Sequence, residues 1–455
     1  MPHDFDLPIV VRKLGNYPDF QPGQLPASHP GLTRLMQEAN LDPENPFRDW
    51  IEPGMKVLVK PNWVRHAAKG WSTMEALTTH PSLIRPIVEY VAKALRSRTG
   101  QIEGEIILAD APLQSANFDL LLQQNSLGAI LADWQARSIP VQLFDLRRVI
   151  ADTDETTGIV RSTRAVPGDP NGDTEINLDH QSRLQQLLQH GGEVGVSNYD
   201  CATTSIHHSS GTHRYRIANS LLDSDVVINL PKWKTHVKTG ITGALKNFIG
   251  INCDKAYLPH FRVGSPRAGG DEYPDSFSGV LLARLRPWIE KVMPAEVIRS
   301  ARSSLFASAR RSNMPLVFGG AWPGNDTLWR TIHDMVFIAR WLGKGGAKLS
   351  SPRPILTVLD AIVAGQGDGP LRPEPREMGC LIFGTDPGQI DIHAAALSGF
   401  DWKSLPLLAH LADPVASVIT RFDPLSSLPD PELLLKPPAA WAKRLTVKES
   451  VCEAA

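Results

Sequence analysis

The stretch that most constrains this chain is Asp225–His260, DVVINLPKWKTHVKTGITGALKNFIGINCDKAYLPH. It opens with Val226–Leu230, a short apolar run rich in β-branched residues and bounded by Pro231, which reads as a buried strand. Polar residues begin where that strand stops: Lys232, Lys234, Thr235, His236 and Lys238. No acid occurs between Asp225 and Asp254, so these cations have no partner nearby in sequence. Gly240–Ile249 reads as a helix, because Ile241, Leu245, Phe248 and Ile249 fall on one apolar stripe. Thr242 and Lys246 share another face, one turn apart. Lys255 and His260 follow in a loop. Lysines after a strand are ordinarily solvated. Here they are interleaved with Gly, Thr, Asn247 and apolar residues, and a strand delivering Lys and His to a helix N-terminus suits an anion site.

The same pattern recurs along the chain. Met55–Val59 leads to Lys60 and Asn62, Glu105–Ala109 to Asp110, Pro354–Leu359 to Asp360, and Gly379–Phe383 to Thr385 and Asp386. Helical patterns alternate with these runs, which predicts the α/β class: a mostly parallel sheet with helices on both faces, plus a helical insertion. Ligands of such sheets sit beyond the carboxyl ends of the strands. Lys60, Asp110, Lys234, Asp360 and Asp386 are therefore expected at one edge. Two helix starts are also legible. Thr79 is a candidate N-cap with Pro81 at the first helical position, and Asp386 caps the helix carrying Asp391 and His393.

The expected organisation is an arm over 1–50, a discontinuous α/β domain over 51–278 and 351–420, a helical insertion over 279–350, and an irregular tail over 421–455. Residues 280–311 carry seven Lys or Arg against two acids. A basic amphipathic helix there reads as a solvated lid, or as a surface for a protein partner or a membrane.

Composition excludes several classes. A formal net charge of −1 gives no global field for nucleic acid. No run of about 18 apolar residues predicts a transmembrane helix, and the first residues lack a secretory pattern. The four cysteines are far apart, without a CxxC pair, so neither an iron–sulfur cluster nor a zinc ribbon is expected. Sparse cysteine fits a reducing compartment, hence a cytoplasmic protein. The glycine loops at 269–270 and 365–369 lack the order of a phosphate loop.

The residue types assign themselves to three roles. Lys60, Asn62, Lys234, Lys246 and Asn247 are candidates to bind an anionic substrate. His236, His80, His260 and Asp110 are candidates to move a proton. Asp360, Asp386 and Asp391 are candidates for a divalent metal, the one cofactor left open. Lys234 and His236 are two apart in extended chain and should face one side, with Trp233 behind or beside them. The leading reading is an enzyme acting on a small phosphorylated or carboxylated substrate by acid/base chemistry, with isomerisation, group transfer and redox chemistry all open. The rival is a non-catalytic accessory protein that holds an anion or cofactor in the same pocket.

Nine blocks in order, VKPNWV, TTHP, ADAP, INLPKWKTH, GALKNFIGINCDK, LPH, GGDEYP, DAIVAGQGDGP and GTDPGQID, resemble the signature blocks of the DUF362 family from about Lys56 to Leu408. The resemblance implies one discontinuous domain completed by the last two blocks. Many members carry a ferredoxin-like module. This chain lacks the cysteines for one, so that property is not carried over. The resemblance implies no particular reaction.

Overall fold

Nine strands pair into one central sheet: β1 (Ile9–Val11), β2 (Lys56–Pro61), β3 (Glu105–Asp110), β4 (Val141–Asp145), β5 (Val226–Leu230), β6 (Lys232–His236), β7 (Gly240–Thr242), β8 (Ile355–Gln366) and β9 (Glu374–Gly384). The structure, a computed structural model, describes residues 8–68, 72–153, 160–196, 201–292, 319–411 and 430–445. The strand order is β1-β9-β8-β5-β2-β3-β4, with β6 pairing β8 and β7. The pairs β8/β5, β5/β2, β2/β3 and β3/β4 are parallel. β9 and β1 are antiparallel additions at one side.

Alternation along the strands sorts their side chains to two cores. Val57 and Val59 pack with α1 (Pro30–Glu38), α2 (Pro81–Ala94) and α3 (Leu127–Ala136), whereas Leu58 faces the other core. That second core holds α5 (Leu328–Trp341) and α6 (Pro387–Leu397); α4 (Phe277–Val292) follows β7 and precedes α5 in the chain. The chain is therefore an α/β protein with a mixed, mostly parallel sheet.

Local chemistry explains how the elements are fixed. In α2, Pro81 occupies the first helical position, and Ile84, Ile87, Val88 and Val91 are buried. Pro86 has no N–H to give to the Ser82 carbonyl four residues back. That carbonyl instead accepts from the His29 N–H at 3.0 Å, which ties the start of α1 to α2. The N-cap is His80 rather than Thr79: its Nδ1 accepts from the Ser82 N–H. Thr79 bridges strands instead, donating to the Leu230 carbonyl and accepting from the Asn62 N–H.

One expectation is corrected and two are refined. Gly240–Ile249 is not a helix. Gly240–Thr242 forms β7 against β6, and only Lys246–Ile251 coils, as a 3₁₀ turn. Gly240 has φ +78, a left-handed conformation that breaks any helix there. Second, within the helical insertion expected over 279–350, α5 contributes to the core. α5 buries Leu328, Ile332, Met335, Val336 and Ile338, each contributing about 1.5–3 kcal/mol on removal from water. α4 does expose Phe277, Leu281, Leu285 and Val292, while 293–311 of the basic segment lies outside the described residues. Third, the described parts of the arm (8–50) and tail (430–445) pack onto the domain. β1 joins the sheet, α1 enters one core, and Leu433, Leu435, Trp441 and Leu445 enter the other.

Candidate functional site

β8 is long enough to back two strands in succession. Its first residues pair with β5, and its later ones with β6, Lys232 opposite Asp360 and Lys234 opposite Gly365. Pro231 separates the two; its carbonyl accepts from the Asp360 N–H at 2.9 Å. β6 thus continues beyond the sheet's carboxyl edge, and alternation puts Lys232, Lys234 and His236 on one side. Trp233 and Thr235 take the other. Trp233 is buried and donates to Ser398 Oγ at 2.9 Å. Thr235 donates to the Gly367 carbonyl at 2.7 Å.

The innermost layer is two sealed ion pairs. Lys60 Nζ lies 2.8 Å from Asp110 Oδ1, and Lys232 Nζ lies 3.0 Å from Asp360 Oδ2. Asp110 also accepts from the Trp63 N–H at 2.8 Å. Burial pushes Lys60 down and Asp110 up, and their attraction opposes both shifts. Gly250 passes directly over this pair: a Cβ there would lie 2.0 Å from Asp110 Oδ1 and 2.7 Å from Lys60 Nζ. Tyr17 closes the second pair, donating to Asp360 Oδ1 and accepting from Lys232. The Tyr17 ring stacks on His80 with centroids 3.8 Å apart, and the His80 N–H donates to Asp360 Oδ2 at 3.0 Å. Burial, with Lys232 and His29 adding, holds the His80 ring well below its usual pKa.

An amide layer covers these pairs. Asn247 Nδ2 donates to Asn229 Oδ1 at 2.8 Å and to the Lys60 carbonyl at 3.2 Å. Asn247 Oδ1 receives Lys60 Nζ and Asn62 Nδ2, each at 3.3 Å. Asn62 Oδ1 in turn accepts from Lys234 Nζ at 2.7 Å, and the Leu77 carbonyl accepts from the same ammonium at 2.6 Å.

The outer layer is cationic. Lys238, Lys246, Lys255 and His260 are each only partly exposed. Burial, Lys255 and Lys246 push Lys238 down to about 7, against Asp271 and Glu272. Burial and Lys60 push Lys246 down to about 8, and burial pushes Lys255 down to about 8. After burial, the strongest influences on His236 are Lys246, Lys238, His260 and Lys234, all of which lower it. His260 is lowered by burial, Lys238 and Lys255. Lys246 has no ion pair among the described residues. Such crowding of like charge is unfavourable by itself and favours an anion beside it.

The structure brings Lys60, Asn62, Asp110, Lys234, His236, Lys246, Asn247 and His260 into this assembly. His80 lies beneath it, walled off by Tyr17. The proposed metal carboxylates are not brought together. Asp360 is held by Lys232 and Tyr17. Asp386 caps α6, accepting from the Gly388 and Gln389 N–H groups, and lies 3.8 Å from Arg340. It follows antiparallel β9, whose end pairs with Thr357 early in β8, so it lies away from the carboxyl edge. Asp391 accepts from the Ala244 and Leu245 N–H groups at 2.7 and 3.0 Å. Among the described residues no three His, Cys, Asp or Glu are placed to hold a metal ion.

Sequence reasoning left Tyr17, Asn229, Lys232, Lys238 and Lys255 out of its candidate list. Lys232 could have been found, since it alternates with Lys234 and His236. Tyr17 gave no local signal.

No helix among the described residues is long and apolar enough to cross a membrane. Searches of curated proteins and of solved structures returned no match. The model of one family, described as a domain of unknown function, DUF362, matches residues 168–396. The match takes in the blocks from INLPKWKTH to GTDPGQID and includes β5 to β9, on which the cationic layer is built. It covers half of the 455 residues, and the chain belongs to the DUF362 family.

Proposed function

We propose that the pocket at the carboxyl edge binds a small phosphorylated or carboxylated molecule, and that the protein is a cytoplasmic enzyme acting on it by acid/base chemistry. The observation that carries this reading is the crowding of Lys234, His236, Lys238, Lys246, Lys255 and His260: after burial, Lys246 weighs most on Lys234 and His236, Lys255 on Lys238, and Lys238 on His260. A bound anion would relieve that repulsion and accept charge-assisted hydrogen bonds. The buried His236 and the partly exposed His260, both close to these lysines, supply groups able to move a proton.

A second reading, a binding protein without catalysis, draws support from the carboxylates. Asp110 and Asp360 are both committed to sealed ion pairs, which removes Asp110 from the groups free to exchange protons. Acid/base work then falls to the histidines alone.

The test begins with mass spectrometry of protein purified without added ligand, followed by calorimetry with the anion identified. Lys246→Ala should weaken binding by about 1.5–3 kcal/mol, the scale of a hydrogen bond to a charged group. Unchanged affinity would return these lysines to the role of solvated surface.

A further inference from the structure

Backbone hydrogen bonds favour opposite tautomers in the two histidines of the cationic site, His236 and His260. His236 Nδ1 accepts from the Lys238 N–H at 3.0 Å and from the Thr239 N–H at 3.3 Å. A ring nitrogen that accepts carries no proton, so the neutral ring carries its proton on Nε2. His260 has the reverse arrangement. Its Nδ1 lies 2.7 Å from the Leu258 carbonyl oxygen, which can only accept. Nδ1 therefore bears the proton, and Nε2 presents a lone pair. The elements that impose this are short. The turn from β6 to β7 folds the N–H groups of residues 238 and 239 back onto the His236 ring. The Leu258-Pro259-His260 segment turns the Leu258 carbonyl onto the ring that follows.

We propose a division of labour that rests on the anion reading: His260 Nε2 accepts the substrate proton, and His236 Nε2–H is a fixed donor to the substrate's negative charge. The asymmetry follows from what a second proton would do to each ring. On His236 it would arrive at Nδ1, facing two backbone donors that would lose their acceptor. On His260 it arrives at Nε2 and leaves the bond to the Leu258 carbonyl intact and strengthened by charge. His260 can therefore pass between its two states without rearrangement, whereas His236 is locked. In the step itself, an X–H bond of the substrate breaks and an N–H bond forms at His260 Nε2. The electron pair stays on the substrate atom, where His236 Nε2–H hydrogen-bonds the charge that develops. Reversal returns the proton, so the step conserves electrons.

Two measurements separate the possibilities. Full-length protein with ¹⁵N-labelled histidine, examined by long-range proton–nitrogen correlation, reports the tautomers directly. His236→Gln and His260→Gln each remove one ring and assign it. The expected result is a proton on Nε2 of His236 and on Nδ1 of His260; the same tautomer in both rings would overturn the proposal. Calorimetry with phosphate, pyrophosphate and oxalate gives the second readout. His236→Ala should weaken the tightest of these about tenfold, the equivalent of losing one hydrogen bond to a charged group. His236→Gln, which keeps an N–H at the Nε2 position, should restore most of that loss. Failure of Gln to restore it would overturn the donor role. Loss of all anion binding in the unsubstituted protein, with opposite tautomers still present, would instead overturn the anion reading and the roles built on it.

Discussion

Lys60 and Asp110 form an ion pair of 2.8 Å with side chains only 1% and 4% exposed, closed off by the Cβ-free backbone of Gly250. Two charges taken out of water cost several kcal/mol each, and their attraction offsets this only while both partners remain. The pair joins the ends of β2 and β3 and supports Asn247 above it. Asp110→Leu leaves Lys60 buried beside two weak acceptors, so stability should fall by about 3–5 kcal/mol. Lys60→Met combined with Asp110→Leu should recover much of it. Denaturant unfolding of the four proteins of the cycle measures this; equal losses in the single and double variants would contradict it.

Tyr17 reaches across 343 residues of sequence to Asp360. Its hydroxyl is at once donor to that carboxylate and acceptor for Lys232 and for the Val363 N–H. Burial, then Asp360, pushes its pKa well above the usual value, so it stays a neutral donor. Tyr17→Phe keeps the stacking on His80 but strips the acceptor from a buried ammonium. A loss of about 1–3 kcal/mol in urea unfolding is expected. A loss below about 0.5 kcal/mol would mean that water replaces the hydroxyl.

The parts of this site legible in the sequence are those whose signal is local. Apolar runs ending in Lys60, Asp110, Lys234 and Asp360 marked the sheet and its carboxyl edge, because a buried parallel strand must be apolar and its end is the first place a polar residue can stand. The error at Gly240–Ile249 has a physical origin. Ile241, Leu245 and Phe248 are buried, but so is nearly every residue around them, and a segment enclosed on all sides carries no informative period. Gly243 decides the matter: a Cβ there would lie 2.1 Å from Asp391 Oδ1, a contact between residues far apart in sequence. Asp386 misled for a different reason, since a helix cap and a strand-end ligand use the same side chain. Tyr17 stood in a stretch without periodicity, and only the folded chain reveals its partners.

Asp391 offers a test based on pH. Burial pushes its carboxyl up to about 7, against the pull of the Leu245 and Ala244 N–H donors. The unfolded value is about 3.9. The folded state therefore binds a proton between about pH 4 and 7 that the unfolded state does not, and this group's contribution to stability falls as pH rises through that window. Asp391→Asn removes the titration. The stability of the variant relative to the unsubstituted protein should rise from pH 4 to 7, by up to about 4 kcal/mol at one pKa unit per 1.36 kcal/mol. Thermal and urea unfolding across the range reads the difference. A difference that falls with pH would show that the two backbone donors outweigh burial and keep the group ionised.

The cationic layer predicts how anion binding itself depends on pH. Lys238 is pushed to about 7, and Lys246 and Lys255 to about 8. A lysine is charged below its pKa, so before an anion binds all three are largely charged at pH 6 and largely neutral at pH 9. Sulfate keeps its charge over this range, which makes it a clean probe. Its affinity should fall steadily from pH 6 to 9, by about tenfold for each lysine that contacts it. A bound anion stabilises the ammonium form and raises these values. Near pH 8, binding should then draw protons from solution, seen as a calorimetric heat that changes with the ionisation enthalpy of the buffer. Lys246→Met should flatten the profile and reduce that proton uptake. Raising the salt should weaken the binding less than for a surface site, because a partly enclosed pocket is poorly screened. An affinity independent of pH, with no proton uptake, would mean that these lysines keep ordinary values and that an anion is not what their crowding is for.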